Sequence, residues 1–259
     1  MIQRIIAKIK RTYRRMTRKP YLDNDRFPGY WFRTVFAGRP ASVVQIGSND
    51  GKTGDPLYEL LHANPEWKAL LVEPLPDFCE RLRANYPDTS RFQVANVAIN
   101  EGRTMPFYFV DATAKDDLPD LPFWFDQLGS FDRAHIVNQL DGVLEPYIRS
   151  IDVDGVRLMD LLRDHQIKDI DIFHVDAEGY DWKILSQLDL DLFQPTFILF
   201  EANHMSTAER RSVIDFLEES YELFAPGIDG FAVRKTLDPA LLRRLRARMA
   251  SFASPSTDR

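Results

Sequence analysis

Cysteine is nearly missing from this chain: Cys79 is the single one in 259 residues. One thiol excludes an internal disulfide framework and fits a reducing compartment. Its predicted place on a helix after Glu73 gives it no chemical role. No stretch approaches the roughly 20 apolar residues that a membrane span needs. Basic residues are also scarce once the first 19 positions are set aside. Those 19 carry eight Arg and Lys and no acid, leaving 25 basic against 39 acidic side chains in the other 240, a net of −14. An acidic body argues against nucleic acid as the main partner, because phosphate contacts supply most of that affinity. There is no internal repeat and no low-complexity domain.

What is present is ample apolar material, 44% of the chain, arranged in alternating short runs. Ile2, Ile5, Ile6 and Ile9 gather on one face of a basic N-terminal helix. That helix reads as a solvated or packed extension, or as a contact for anionic lipid or a protein partner. It lacks the apolar core of a secretory signal. Pro28 to Ala37 reads as an aromatic helix stopped by Gly38, with Trp31, Phe32, Val35 and Phe36 in the core or lidding a pocket. Residues 1–39 thus form a lead-in, 40–236 one α/β domain, and 237–259 a basic helix with a Ser/Pro/Thr tail expected to be disordered.

Within the domain the spacing predicts strand 42–46, helix 55–63, strand 69–73, helix 76–85 and strand 91–99. A strand at 105–110 is expected to form a hairpin with 92–99, and 111–149 to be irregular. Strands at 151–153, 170–175 and 197–200 alternate with helices at 156–165, 179–188 and 207–220. An antiparallel pair, 221–225 and 231–234, closes the sheet.

The organising stretch is Ser42-Val-Val-Gln-Ile-Gly-Ser-Asn-Asp-Gly51, an apolar strand running into a glycine loop. Strand, glycine loop and helix open a doubly wound sheet, in which a ligand lies over the strand's carboxyl end. A dinucleotide loop needs Gly-x-Gly-x-x-Gly, so that the backbone can approach a pyrophosphate. Here asparagine replaces the second glycine, and Asp50 would bring a negative charge to any phosphate. S-adenosylmethionine, with no phosphate and with ribose hydroxyls that a carboxylate can accept, fits better. Glu73, 22 residues after Gly51, stands where the ribose carboxylate is expected. The plainer alternative is a loop that only turns the chain, with Glu73 as a helix cap.

A second constellation is His174-Val-Asp-Ala-Glu-Gly-Tyr-Asp181. Alternation puts His174 and Asp176 on one face, and the next strand ends in Glu201-Ala-Asn203-His204. Asp176, Glu178, Glu201, Asn203 and His204 therefore share one rim. Such a group can orient an acceptor hydroxyl and take its proton, His204 being well matched as a base. Alternatively, Asp176, Glu201 and Asn203 are oxygen ligands of Mg²⁺ or Mn²⁺. No residue is assigned to a metal on the sequence alone. Asp181 is expected to face solvent in a helix's first turn.

With both stretches in hand, the chain resembles the FkbM family of methyltransferases from about Val43 to Arg234. The carriers are the glycine loop, Val72-Glu73-Pro74, Asn96-Val-Ala-Ile99, Gly129-Ser-Phe131 and above all the His174–Asp181 motif. The resemblance implies a class I Rossmann-like fold: a mostly parallel seven-stranded sheet with an antiparallel C-terminal strand and helices on both faces. It implies S-adenosylmethionine-dependent O-methylation of a carbohydrate or small metabolite. Gly47, Ser48, Asp50, Gly51, Glu73 and Asn96 would hold the cofactor, and Asp176, Glu178 and His204 would work at the acceptor. Gln45 stands where many members have aspartate, Asp50 being a candidate substitute, and His174 stands where lysine is common. Trp124, Phe125, Phe131, Arg133 and His135 fall in the acceptor-binding region and would form a lid. The expected setting is cytoplasmic, with residues 1–19 as a peripheral membrane or protein contact. The rivals are a catalytically inert Rossmann-like module tethered by that helix, and an NAD-dependent oxidoreductase.

Overall fold

The computed structural model describes residues 20–227 and 229–252; the helix expected over residues 1–19 and the tail expected to be disordered lie outside them. Four strands form the parallel heart of the sheet: β1 (Ser42–Ile46), β2 (Lys68–Val72), β8 (Ile172–Val175) and β9 (Phe197–Glu201). Their sequences are almost continuously apolar, as buried parallel strands covered on both faces must be. β3 (Phe92–Ala95) lies outside β2. Beyond β9 come β11 (Asp229–Arg234), β10 (Tyr221–Ala225) and a two-residue β12 (Ala250–Ser251). The full order is β3-β2-β1-β8-β9-β11-β10-β12. β11 runs antiparallel between β9 and β10. Seven strands follow the expected plan, and β12 adds an eighth where the chain returns against β10.

Helices cover both faces. Val44, Ile46, Phe173, Val175, Ile198 and Phe200 point to one core, and Val43, Ile172, Phe197 and Leu199 to the other, following the two-residue period of a strand. On the first face pack α7 (Leu158–Asp164), α8 (Asp181–Leu185) and α9 (Thr207–Leu217). A capping box between Ser206 and Glu209 starts α9. On the second face pack α2 (Pro28–Val35), α3 (Tyr58–Ala63), α4 (Pro76–Asn85) and α10 (Pro239–Arg248), after a short α1 (Pro20–Asp23). Trp31 and Phe32 are fully buried there, Phe32 lying 5.2 Å from the Phe197 ring. The aromatic lead-in is thus core, although its first residues, Phe27 to Gly29, reach a cleft described below.

The expected hairpin of 105–110 with 92–99 does not form. β5 (Met105–Val110) pairs along its whole length with β6 (Ile148–Val153) instead, and β4 (Ala98–Ile99) pairs with β7 (Gly155–Val156). Residues 111–149 are largely irregular, as expected, but they are not without structure. They carry α5 (Ala114–Asp117) and α6 (Arg133–Val137) and have their own core of Val110, Leu121, Phe125, Leu128, Ile136 and Leu144. Apolar positions spaced without a regular period pack there through tertiary contact, which no periodicity can report. Among the described residues no helix is long and apolar enough to cross a membrane.

Candidate active site

The loop after β1 starts at Gly47, whose φ of +78° is open to glycine at little cost. Its backbone passes so near the end of β8 that a Cβ would lie 1.8 Å from the Asp176 carbonyl oxygen. The N–H groups of Gly47 and Ser48 both donate to the Val72 carbonyl at 3.0 Å, locking the loop to β2. Glu73 completes the lock. Its Oε2 accepts from the Asn49 N–H at 2.9 Å and its Oε1 from the Leu75 N–H at 2.8 Å. Burial pushes the Glu73 carboxyl up to about 7, against the pull of those two donors. Glu73 lines a narrow pocket whose walls include Val72, Val97, Ile99, Phe131 and Tyr180.

Of the residues expected around the cofactor, Gly47 and Glu73 line this pocket. Ser48 faces the neighbouring cleft instead. Asp50 faces neither. Its carboxylate accepts from the Lys52 and Thr53 N–H groups and the Thr53 hydroxyl, so it shapes a turn and does not stand in for the missing acid at Gln45. Gly51 is required by packing, since a Cβ would meet Leu82 at 2.4 Å and Tyr86 at 2.6 Å. Asn96 lies outside the pocket and donates to the carbonyls of Glu73 and Pro74, bracing the turn from behind. Asn49 was not anticipated. It holds φ +48°, binds Glu73 and lines both cavities. An asparagine between two glycines of a loop was the available signal, since asparagine tolerates that region.

The larger cleft adjoins the pocket over the carboxyl ends of β1, β8 and β9, and Asp176, Glu178, Glu201, Asn203 and His204 share its rim as the alternation requires. Asp176 and Glu178 line both cavities. Water reaches Asp176 from the cleft, yet protein surrounds it. Burial first, then repulsion from Glu178, Glu201, Asp181 and Asp229, raises its carboxyl well above the usual range. Glu178 holds φ +46° and meets His135 Nε2 through Oε2 at 2.8 Å. The Ser130 hydroxyl donates to the Glu178 carbonyl at 2.9 Å, so the Gly129-Ser-Phe131 segment fastens the inserted region to this motif. His204 Nε2 meets Glu201 Oε1 at 3.2 Å, a contact that raises the imidazole's pKa.

Deeper in the cleft the second sheet face changes from apolar to polar. Val43 aligns with Ile172, and two residues on Gln45 aligns with His174. Gln45 donates from Nε2 to Asp55 Oδ2 at 2.8 Å, leaving Oε1 without a partner. His174 is 5% exposed with Nδ1 unpartnered, and burial lowers its pKa to about 4, so it is neutral. Burial likewise raises Asp55 to about 6 and Asp229 to about 7. Among the described residues three buried side-chain atoms lack a partner, Gln45 Oε1, His174 Nδ1 and Glu201 Oε2. All three residues line this cleft, and no Lys or Arg does.

Asp181 departs from expectation. It is 1% exposed; its Oδ1 accepts the Glu201 N–H at 3.0 Å and its Oδ2 the Ala177 N–H at 3.4 Å, tying the two motif ends together. Among the described residues, the histidine and carboxylate donor atoms that converge within 4.8 Å are those of His135, Glu178 and His204. The aromatic segment divides. Phe125 is core, Phe131 lines the pocket, Trp124 lines the cleft, and Arg133 pairs with Glu145 at the surface. His135, expected in the same lid, meets Glu178, while Asp55 and Asp229 carry no local sequence signal, because segments far apart in the chain bring them in.

The strand order with its antiparallel β11, and an acid at the end of β2 under a glycine loop, define a class I methyltransferase. A family model described as the methyltransferase FkbM domain matches residues 45–223, and the chain belongs to that family. It is therefore an S-adenosylmethionine-dependent methyltransferase. No protein of curated function matches the sequence. Among solved structures, the chain is similar to the METTL16 methyltransferase domain at 12% identity and a TM-score of 0.43, covering 81% of this chain and 66% of that one. A precorrin-6y C5,15-methyltransferase from Geobacter metallireducens shows 12% identity over 80% of this chain and 88% of its own, with a TM-score of 0.37. An S-adenosylmethionine-dependent O-methyltransferase from Thermotoga maritima shows 9% identity over 80% and 65%, also at 0.37. These likenesses are distant, and the fold class is read from the strand order.

Proposed function

We propose that this protein methylates a hydroxyl oxygen on a carbohydrate or other small hydroxylated metabolite, in the cytoplasm. The observation that carries the reading is that Asp176 and Glu178 line both the narrow pocket and the open cleft. The residues of the pocket fit S-adenosylmethionine. Glu73 keeps lone pairs beyond its two backbone bonds for ribose hydroxyls, the walls are apolar, and no cationic side chain is present for a phosphate. Gly47 leaves room where a side chain would block the approach. Bound there, the cofactor supplies a methyl group already activated on sulfonium.

The protein's own part is alignment and proton removal. Asp176, raised above the usual carboxylate range, accepts the acceptor's hydroxyl proton. Glu178 and His204 hold that hydroxyl, and much of the rate follows from this placement. The orphaned atoms of Gln45 and His174 offer a hydrogen-bond acceptor and an imidazole nitrogen deep in the cleft, matching a ligand with several hydroxyls. The test is incubation of the full chain with isotopically labelled cofactor and a panel of glycans and hydroxylated metabolites, followed by mass spectrometry and NMR of the product. A methyl on oxygen, with turnover about 100-fold lower in Asp176→Asn and unchanged S-adenosylhomocysteine binding, is the expected outcome. A methyl on nitrogen or carbon overturns the reading.

A further inference from the structure

We propose that His135, Glu178 and His204 bind one divalent first-row transition ion at the mouth of the cleft, with Glu201 as a fourth donor. The ion site shares Glu178 and His204 with the acceptor side proposed above, but it does not rest on that reading, because its test measures metal binding and not turnover.

The three side chains come from α6, the turn after β8 and the turn after β9, and their donor atoms lie within 4.8 Å of one another. The two imidazoles face each other edge-on, with ring centroids 4.4 Å apart. Within the group, His135 Nε2 is 2.8 Å from Glu178 Oε2, and beside it Glu201 Oε1 lies 3.2 Å from His204 Nε2. One ion holding nitrogen and oxygen donors at roughly 2.0–2.2 Å brings them to such separations. Glu178 is also held in place for the purpose: a non-glycine residue at φ +46° is costly unless the surroundings over-determine it.

Two histidine–carboxylate hydrogen bonds would account for part of this cluster but not for all of it. Glu201 Oε2 is buried and has no partner. In the same cleft, Gln45 and His174, 2% and 5% exposed, carry unpartnered atoms. The cleft gathers five carboxylates and no lysine or arginine, a setting that favours a bound cation. Two imidazoles with carboxylate select zinc, manganese, iron, cobalt or nickel over magnesium and calcium, which take oxygen.

The test uses the full chain stripped by a chelator. Calorimetric titration with Zn²⁺ and with Co²⁺ is expected to show one ion per chain. X-ray absorption at the zinc edge is expected to show two imidazole nitrogens with carboxylate oxygen. His135→Ala and His204→Ala should each weaken zinc at least about tenfold, while His165→Ala, at a surface contact with Gln93, should not. S-adenosylhomocysteine binding checks that each variant is folded. If a histidine variant fails that check, the wild-type absorption spectrum decides, and a coordination shell without imidazole overturns the proposal. It is equally overturned by no binding at millimolar zinc, by unchanged affinity in folded variants of both histidines, or by magnesium competing on equal terms.

Discussion

The two cavities that meet at Asp176 are built on opposite principles. In the narrow pocket the polar side chain at the centre is tied: Glu73 accepts backbone N–H groups on both oxygens. In the wide cleft the polar side chains keep spare capacity, and every unpartnered buried side-chain atom among the described residues belongs to a residue of its lining. A buried polar atom with no partner is costly, so natural chains keep few of them. Their confinement to one cavity marks the place where a ligand completes the structure. On the function proposed above, the pocket is the fitting for the cofactor and the cleft the place where the acceptor is chosen.

The sharpest way to break that contrast is at the shared wall. Gly47→Ala drives a Cβ against the Asp176 carbonyl and makes a non-glycine residue adopt φ +78°. It should destabilise the fold by more than about 2 kcal/mol in urea unfolding and abolish S-adenosylhomocysteine binding. A well-folded, cofactor-binding variant would mean that the two strand ends can move apart.

Glu73→Ala acts on the pocket alone. It removes the acceptor of two backbone donors and, on the proposed function, the carboxylate for the ribose, and should weaken S-adenosylhomocysteine binding by about 2–3 kcal/mol in calorimetry. The cleft should keep its zinc affinity. Loss of both would show that the cavities are not independent.

Acidity probes the cleft more than the pocket. Asp55, Glu73 and Asp229 rise from 3.8, 4.5 and 3.8 to about 6, 7 and 7, all by burial. The folded chain therefore holds protons that the unfolded chain releases, and stability falls as pH rises from about 4 to about 7. Thermal melts should give a higher Tm at pH 5 than at pH 8. Asp229→Asn should narrow that gap, stabilising the protein at pH 8 by roughly 1–3 kcal/mol. An unchanged gap would mean that water in the cleft solvates Asp229 fully.

The smallest effect is expected from Asn96→Ala. Its amide braces the Glu73 turn through two carbonyls, one of them exposed, so cofactor affinity should fall by about 1 kcal/mol. A loss as large as that of Glu73→Ala would make Asn96 a direct ligand.

The rim of the cleft was legible in the sequence, all five residues expected there lining it, whereas of the six expected around the cofactor only Gly47 and Glu73 line the pocket. Gly47, Glu73 and the Asp176-Ala-Glu178 motif lie at the ends of apolar runs, and strand period alone puts them at the carboxyl edge of a parallel sheet. Chemistry at the loop, with no second glycine and an acid nearby, already disfavoured a pyrophosphate. Asp50 misled because a carboxylate within a glycine loop can turn outward and bond its own turn as readily as it can turn inward. Asp181 misled because its position in a first helical turn says nothing about what packs above it.

The sequence by itself determined the order and kind of the main strands, the carboxyl edge where the two motifs meet and the family, because each rests on residues within a few positions of one another. Only the tertiary structure decided what is brought to that edge from elsewhere in the chain. Pairing β5 with β6 in place of β3 folds residues 111–149 into a small core of their own. That core delivers His135 to Glu178 across 43 positions. Contacts between segments so distant depend on how whole elements pack, and no local period or spacing records them.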